Sequence, residues 1–449
     1  MAGVAKKSSA SRRNNSASFG LDQALRTAMS IHQSGRAAEA EAQYRVLLKV
    51  APNHPDVLHY LGLALHQQKK TEQALALVRR AIELAPGYVD AINNLGNMQK
   101  ELGLTSEAEA AYRAVIAARP DFAAAHNNLG VVLRDQGRHA DAVVACRACL
   151  ALTPDYAEGW LNLGHALKCC GEQQQAMTAY CMVITLAPCC ADAYRNLGGA
   201  LAASQRYPEA LEVYCNWQKN DPGNPVVEHM IAACSGAAAP VRASDGYVQH
   251  TFDDFAASFD KVLADLDYRA PELCGAMLAQ LHGAPEQSLD VLDAGCGTGL
   301  CAPYLKPHAR RLDGVDLSSG MLARAALRNA YERLDTAELG AWLALHPQAY
   351  DVIVSADTLC YFGTLDAVVA AAATALRPGG HLVFTVEETQ DAQAAPDFLL
   401  HAHGRYSHTE DYVRRALSSA GMQAVRIDRV TLRQEASLPV MGLVVGARN

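Results

Sequence analysis

A chain in which one dipeptide returns every 34 residues is constrained to fold as a stack of like units. Here Leu-Gly recurs at Leu61-Gly62, Leu95-Gly96, Leu129-Gly130, Leu163-Gly164 and Leu197-Gly198. Proline keeps the same register at Pro52, Pro86, Pro120, Pro154, Pro188 and Pro222, and alanine does so at Ala40, Ala74, Ala108, Ala142, Ala176 and Ala210. Within a period, Val89 to Lys100 and Glu107 to Ile116 carry apolar residues at helical spacing, so each unit reads as a helical hairpin. Gly96 and Ala108 are small where the two helices approach, and Pro86 and Pro120 end one hairpin and begin the next. Six units fit from Leu21, the first degenerate, with Thr27 and Ala28 at the Leu-Gly positions. Residues 224–235 would add the capping helix that an open stack needs over its last apolar face.

After residue 240 the period disappears. Leu289-Asp-Val-Leu-Asp293-Ala-Gly295-Cys-Gly297-Thr-Gly299 follows, the pattern of a strand running into a glycine turn that opens a helix. A dinucleotide site calls for Gly-x-Gly-x-x-Gly, whereas here the third glycine comes one residue early and Leu300 stands in its place. Asp293, two residues before the first glycine, would repel a phosphate and suit an ammonium group. Asp316 ends the next apolar segment, Leu312-Asp-Gly-Val-Asp, where an acid accepts both hydroxyls of a ribose.

With 449 residues the chain exceeds what one core usually serves, which agrees with the break in period. The plan read from the sequence is a basic disordered tail over 1–20, six repeats and a cap over 21–235, a linker over 236–250, and a cofactor domain over 251–449. Neither a signal peptide nor a membrane-length apolar run is legible, which points to the cytoplasm. The net charge of −8 resides mainly in the second half, and neither folded half has the basic balance of a nucleic-acid binder. Thirteen cysteines lack any His-Cys framework of zinc spacing, so no metal is expected and they read as small buried apolar residues.

The 34-residue unit, with its Leu-Gly, Tyr, Ala and Pro positions, resembles the tetratricopeptide repeat (TPR), which implies an all-α superhelix. The residue before Leu-Gly is Asn94, Asn128, Asn162 and Asn196 in four successive units, and in this repeat the position faces the concave groove. Asparagine is a poor helix former, so a ladder of amides there asks for a reason. Such amides donate and accept at once and can grip the backbone of an extended peptide. In this the ladder resembles the repeat domain of the O-linked N-acetylglucosamine transferases. The competing reading is that the amides bond within the stack.

The second half resembles the class I S-adenosylmethionine-dependent methyltransferases. Asp293 to Gly299 matches motif I, Asp316 the acid of motif II, Tyr350-Asp-Val-Ile-Val-Ser-Ala-Asp357 the fourth strand and its ending acid, and Leu376-Arg-Pro-Gly-Gly380 with His381 to Val386 the following loop and strand. The resemblance implies an α/β Rossmann-like domain with a seven-stranded, mainly parallel sheet. It also implies that Gly295, Gly297 and Gly299 make room for S-adenosylmethionine, that Asp293 works near its amine, that Asp316 holds the ribose, and that Glu338 and Ala337 meet the adenine, with Asp335 close enough to compete with Glu338. Phe252, Phe255 and Phe259 fall on one helical face and would form a lid, and Tyr268-Arg269-Ala-Pro271 would begin the helix leading to the first strand.

For a base, where the acceptor needs one, the candidates are Asp357, Tyr361 and His408, with Arg405 able to pair with a carboxylate on the acceptor. The whole chain resembles bacterial proteins described as predicted methyltransferases containing tetratricopeptide repeats. Three functions follow: methylation of a protein or peptide recruited by the repeat groove, methylation of a small molecule or glycan precursor with the repeats docking a biosynthetic partner, or a scaffold with a vestigial cofactor fold.

Overall fold

The computed structural model describes residues 20–236, 238–389, 397–435 and 438–449, so nearly all of the expected tail lies outside the described residues. The chain divides into two compact units after Ala193. The first is a run of helical hairpins. A helix over residues 20–33 is followed by Ala37–Val50, and then come Pro55–Gln67 with Thr71–Leu84, Val89–Glu101 with Thr105–Ala118, Ala123–Asp135 with His139–Leu152, and Ala157–Cys169 with Gln173–Leu186.

Sequence explains the close approach within each hairpin. A Cβ added to Gly96 would fall 2.7 Å from the Tyr112 ring, and one added to Gly130 would fall 2.6 Å from Cys146 Sγ. The turn inside each hairpin needs one left-handed residue, supplied by Gly35, Gly103, Gly137 and Gly171, and by Lys69 where glycine is missing. Seven cysteines are buried as the composition suggested, but Cys169, Cys170, Cys181 and Cys189 are exposed, because they fall on the outer faces and loops of the fifth repeat.

The second unit begins inside the sixth hairpin, Ala191–Ala203 with Tyr207–Asn220, and contains the cap helix Pro225–Cys234. That helix is capped by Asn224, whose side chain accepts from Val226 N. It does more than cover a stack. His229, 5% exposed, donates from Nε2 to the Gly404 carbonyl at 2.8 Å and stacks on Tyr247 at 4.0 Å. The stretch expected as a linker is likewise sewn down. Val241 O accepts from Gly363 N and Thr364 N, Ala243 N donates to Tyr361 O, and Tyr406 Oη donates to Pro240 O. The domain boundary by contacts therefore falls one hairpin earlier than the repeat period suggests.

The sheet comprises β1 (Leu289–Ala294), β2 (Ala309–Asp316), β3 (Arg333–Thr336), β4 (Tyr350–Ser355), β5 (Leu376–Glu388), β6 (Phe398–Leu400), β7 (Tyr406–His408), β8 (Gln423–Glu435) and β9 (Leu438–Arg448). Strands β3, β2, β1, β4 and β5 are parallel neighbours, β9 pairs antiparallel with β5, and β8 pairs antiparallel with β9. These seven give the expected mainly parallel sheet. The short hairpin β6–β7 is an addition: β7 runs parallel to the end of β5, pairing Glu387 with Ser407 and Glu388 with His408. Because β1 and β4 are covered on both faces, their residues are almost wholly buried, with Val291, Leu292, Val352 and Val354 all at 0% exposure.

Candidate active site

The strand β1 delivers the chain into three left-handed glycines, Gly295, Gly297 and Gly299, at φ +75°, +53° and +84°. Gly295 N and Cys296 N both donate to Val315 O, at 2.8 and 3.0 Å, which pins the turn to the end of β2 and sets Asp316 beside it. Asp316 Oδ2 accepts from Gly297 N and Oδ1 from Ser318 N, each at 2.8 Å. Each carboxylate oxygen keeps a further lone pair, the acceptor pair that two adjacent hydroxyls would use. Burial raises the Asp316 carboxyl above the usual range, against the pull of those backbone donors.

Asp316, Gly295 and Gly297 line a cavity together with Ala337 and Glu338. Ala337 N donates to Asp316 O, and Glu338 caps the helix Leu339–Ala344 by accepting from Ala341 N at 2.7 Å. One of its oxygens is thereby committed to the fold. The far wall is aromatic: Phe252, Phe259, Tyr268, Tyr361 and Phe362. Phe252 and Phe259 come from two separate helices, Asp245–Phe255 and Phe259–Asp265, so the expected single lid helix is broken. Phe255 packs on Phe259 at 5.4 Å and does not line the cavity. The helix Ala270–His282 starts with Pro271 in its first turn, as its sequence signals.

A Cβ on Gly297 would meet nothing nearer than a Phe259 carbon at 3.9 Å, so the missing side chain leaves room inside the cavity. Gly295 has a different reason: its Cβ would lie 2.1 Å from Thr358 Oγ1. Gly299 lies outside the cavity lining, packed against Arg328 and Tyr331. Asp293 is also behind the turn. It is 1% exposed, accepts from Tyr331 Oη at 2.6 Å, and is pushed up to about 7 by burial.

Asp357, itself left-handed at φ +52°, faces the cavity after β4, and Tyr361 lines it beside Asp357 with its phenol raised by burial. Asp357 Oδ2 accepts from Arg433 Nη1 at 2.7 Å and Oδ1 accepts from Thr385 Oγ1 at 3.2 Å. Arg433, only 3% exposed, also bonds Glu387 and Glu435, and Arg405 bridges the same two glutamates at 2.6 Å each. Arg405 is thus held by internal carboxylates, not offered to an acceptor. No local signal in the sequence joined these residues, since they lie after β4, on β5, on β8 and in the β6–β7 turn.

His408 is removed from the chemistry. It sits in β7 at 0% exposure, outside the cavity lining, and its Nε2 donates to the carbonyls of Phe362 and Gly363 at 2.8 and 3.1 Å. Burial lowers it to about 4, so it is a neutral strut under the Leu359–Tyr361 turn.

In the first unit the asparagines are half-buried and tied to the stack. Asn94 Nδ2 donates to His59 Nε2 at 2.9 Å, Asn128 to Asn97 Oδ1 at 3.0 Å and Asn162 to Asn127 Oδ1 at 3.0 Å. His59, held neutral by burial at about 4, passes the chain on to Tyr88 Oη. Each of these three amides spends a donor between repeats. Asn196 also has a partner.

A glycine turn after β1, an acid ending β2 and a lidded cavity over a mainly parallel sheet define a nucleotide-type cofactor fold of the methyltransferase class. Residues 266–427 match the family described as a methyltransferase domain, and residues 32–89, 94–166 and 175–225 match the tetratricopeptide repeat. The chain belongs to the methyltransferases, and it carries tetratricopeptide repeats ahead of that domain. It is 30% identical over 202 residues to the malonyl-[acyl-carrier protein] O-methyltransferase of Enterobacter lignolyticus, covering 44% of this chain and 68% of that one. To the Homo sapiens methyltransferase-like protein 27 it is 41% identical over 108 residues, which is 23% of this chain and less than half, 44%, of the relative. Among solved structures, YrrB, a TPR protein with an unusual peptide-binding site, is similar at a TM-score of 0.35 and 20% identity, covering 41% of this chain and 96% of that one. No helix among the described residues is long and apolar enough to cross a membrane.

Proposed function

We propose that the chain binds S-adenosylmethionine in the cavity beneath the lid and transfers its methyl group to an acceptor on a protein or peptide recruited by the repeats. The observation that carries the cofactor reading is the Asp316 carboxylate, set at the cavity wall by Gly297 N and Ser318 N with acceptor capacity left on both oxygens. Asp316 holds the ribose hydroxyls, the space beside Gly297 takes the cofactor's backbone, and Ala337 flanks the adenine with the remaining oxygen of Glu338 toward its amine. The bound cofactor supplies an electrophilic methyl group that needs no further activation.

The protein's part is placement and dryness. Phe252 and Phe259 give the cavity an apolar side, while Tyr361 and Asp357 form the wall on which an acceptor is oriented. Asp293 supports the glycine turn from behind through Tyr331, and helps the methionine amine only through that turn.

A second reading, a small-molecule acceptor with the repeats as a docking arm, is favoured by the in-stack bonds of Asn94, Asn128 and Asn162. The similarity to an O-methyltransferase of a carrier-bound malonyl group is in keeping with it. Both readings are tested by transfer from radiolabelled S-adenosylmethionine into a cell lysate, wild type against Asp316→Ala, with label sorted into protein and small-molecule fractions. Label in protein that needs Asp316, and that falls when Asn94, Asn128, Asn162 and Asn196 become alanine, supports the groove. Label confined to small molecules moves the repeats to docking, and an unchanged signal in Asp316→Ala removes the cofactor assignment.

A further inference from the structure

The sixth hairpin holds a glycine that its own packing does not call for. In the helix Ala191–Ala203, Gly198 is forced, because a Cβ there would fall 2.4 Å from the Tyr214 ring. Its neighbour Gly199 is not, since a Cβ there would meet nothing within 4 Å. Glycine weakens a helix interior, so its presence in open space needs another reason.

The other hairpins show what belongs in that space. Gly199 stands fifteen residues before Tyr214, as Asn97 stands before Tyr112 in the third hairpin, where Tyr112 Oη donates to Asn97 Oδ1 at 2.8 Å. In the fifth hairpin the position is His165, whose ring lies 5.8 Å from that of Tyr180. Tyr180 Oη also lacks a partner among the described residues, but there an imidazole occupies the position. In the sixth hairpin the tyrosine remains and the side chain beside it is gone. Tyr214 is 0% exposed, and its Oη has no hydrogen-bond partner among the described residues. A hydroxyl already stripped of water and left unpaired gains a bond from an incoming oxygen without first giving one up.

Gly199 and Tyr214 line a cavity built jointly by this hairpin and the methyltransferase domain, and every residue lining it lies in the second unit. Ala202, Ala203, Val226 and Met230 give it an apolar side, and the β6–β7 turn adds His401 and Ala402. The helix Asp245–Phe255 contributes Tyr247 and Thr251. The next residues along that helix, Val248 and Phe252, line the cofactor cavity, and the Tyr247 ring stands 6.4 Å from that of Tyr361. One helix is thus a wall of both cavities.

We propose that this second cavity docks the methyl-accepting polypeptide, taking one of its amide oxygens beside Gly199 as the partner of Tyr214 Oη and an apolar side chain against Ala202, Val226 and Met230. An amide is the fitting group, because the third hairpin supplies one to the equivalent hydroxyl. Gly199 and Tyr214 bind the acceptor away from the reacting atoms. The acceptor role rests on the methyltransferase reading above, whereas binding of an amide does not.

The probe is N-acetyl-leucine amide, which carries amide oxygens and one apolar side chain, followed on the full chain by saturation-transfer NMR. It should bind the wild type, and bind Tyr214→Phe about fivefold more weakly, the size of one neutral hydrogen bond. It should not bind Gly199→Asn, which sets the protein's own amide against Tyr214 as Asn97 is set against Tyr112. Neither substitution should lower the melting temperature, because one removes an unpaired buried hydroxyl and the other replaces a helix glycine. In the lysate transfer, label in protein should be lost with Gly199→Asn while the calorimetric affinity for S-adenosylmethionine is unchanged. Equal probe binding by wild type and Gly199→Asn, or none by the wild type, overturns the site. Probe binding lost with protein labelling kept overturns the acceptor role, and label lost from the small-molecule fraction alone overturns the choice of a polypeptide. A wild type that binds the probe but not S-adenosylmethionine overturns the cofactor reading, and the acceptor role with it, while the amide site stands.

Discussion

The tightest steric statement in the cavity concerns Gly295, and it makes a quantitative prediction. An alanine there places Cβ 2.1 Å from Oγ1 and 2.4 Å from Cγ2 of Thr358, on a backbone with φ +75°. The left-handed conformation alone costs a residue with a Cβ about 1–2 kcal/mol. Forcing a methyl group into filled space adds about 1–3 kcal/mol, so Gly295→Ala should destabilise the sheet by about 2–5 kcal/mol. Thr358→Ala separates the two parts, because it removes the two nearest atoms and leaves Cβ at 2.8 Å. By itself it should cost about 1 kcal/mol, through loss of the 3.3 Å bond to Gly295 O. In the double variant at least about 1 kcal/mol of the clash should return as a favourable coupling, while the backbone part remains. Because the two units need not unfold together, the readout is hydrogen exchange at the β1 amides of Val291 and Leu292, local to the turn. Stability of Gly295→Ala within about 0.5 kcal/mol of wild type, or zero coupling with Thr358→Ala, would refute the packing argument.

Three further outcomes are expected. Asp293 is raised to about 7 in the fold, so the native chain holds a proton that the unfolded chain releases. Its stabilisation is full below about pH 4 and is lost as pH rises through 7, an effect of at most about 4 kcal/mol that should vanish from the stability–pH curve of Asp293→Asn. His408→Gln keeps a donor near the Phe362 and Gly363 carbonyls, so methyl incorporation should retain its pH profile while the melting temperature drops by a few degrees; loss of the acid limb would restore a catalytic histidine. Asn128→Ala removes the bond to Asn97 across the repeats and should cost about 0.5–1.5 kcal/mol in urea unfolding followed by helix signal. No loss at all would mean that this amide is free for a ligand.

What could be read in advance was whatever repeats or sits in one short stretch. The Leu-Gly period carried the hairpins because a 34-residue unit packs mainly on its neighbours, and the same partners recur at each step. Gly295, Gly297 and Asp316 were legible because a strand, a glycine turn and an acid lie close in sequence. His408 was misread for the opposite reason: Gly404 to His408 resembles a polar loop, yet pairing of β7 with β5 buries it under carbonyls more than forty residues away. The lid aromatics were recognised as a group, but a break after Phe255 turned Phe259 into the start of another helix.

By itself, then, the amino-acid order determined a stack of helical hairpins followed by a strand, a glycine turn and an acid, since each depends on backbone preferences and apolar spacing over a few turns. Only the tertiary structure decided where the second unit begins, through His229 on Gly404 and Val241 on Gly363. It alone decided which acids face the cavity, placing Asp357 at the wall and Asp293 behind it. The ion pairs around Arg433 form only when the end of β4, β5, β8 and the β6–β7 turn meet, because burial and pairing, not residue type, fix what a charged side chain can do.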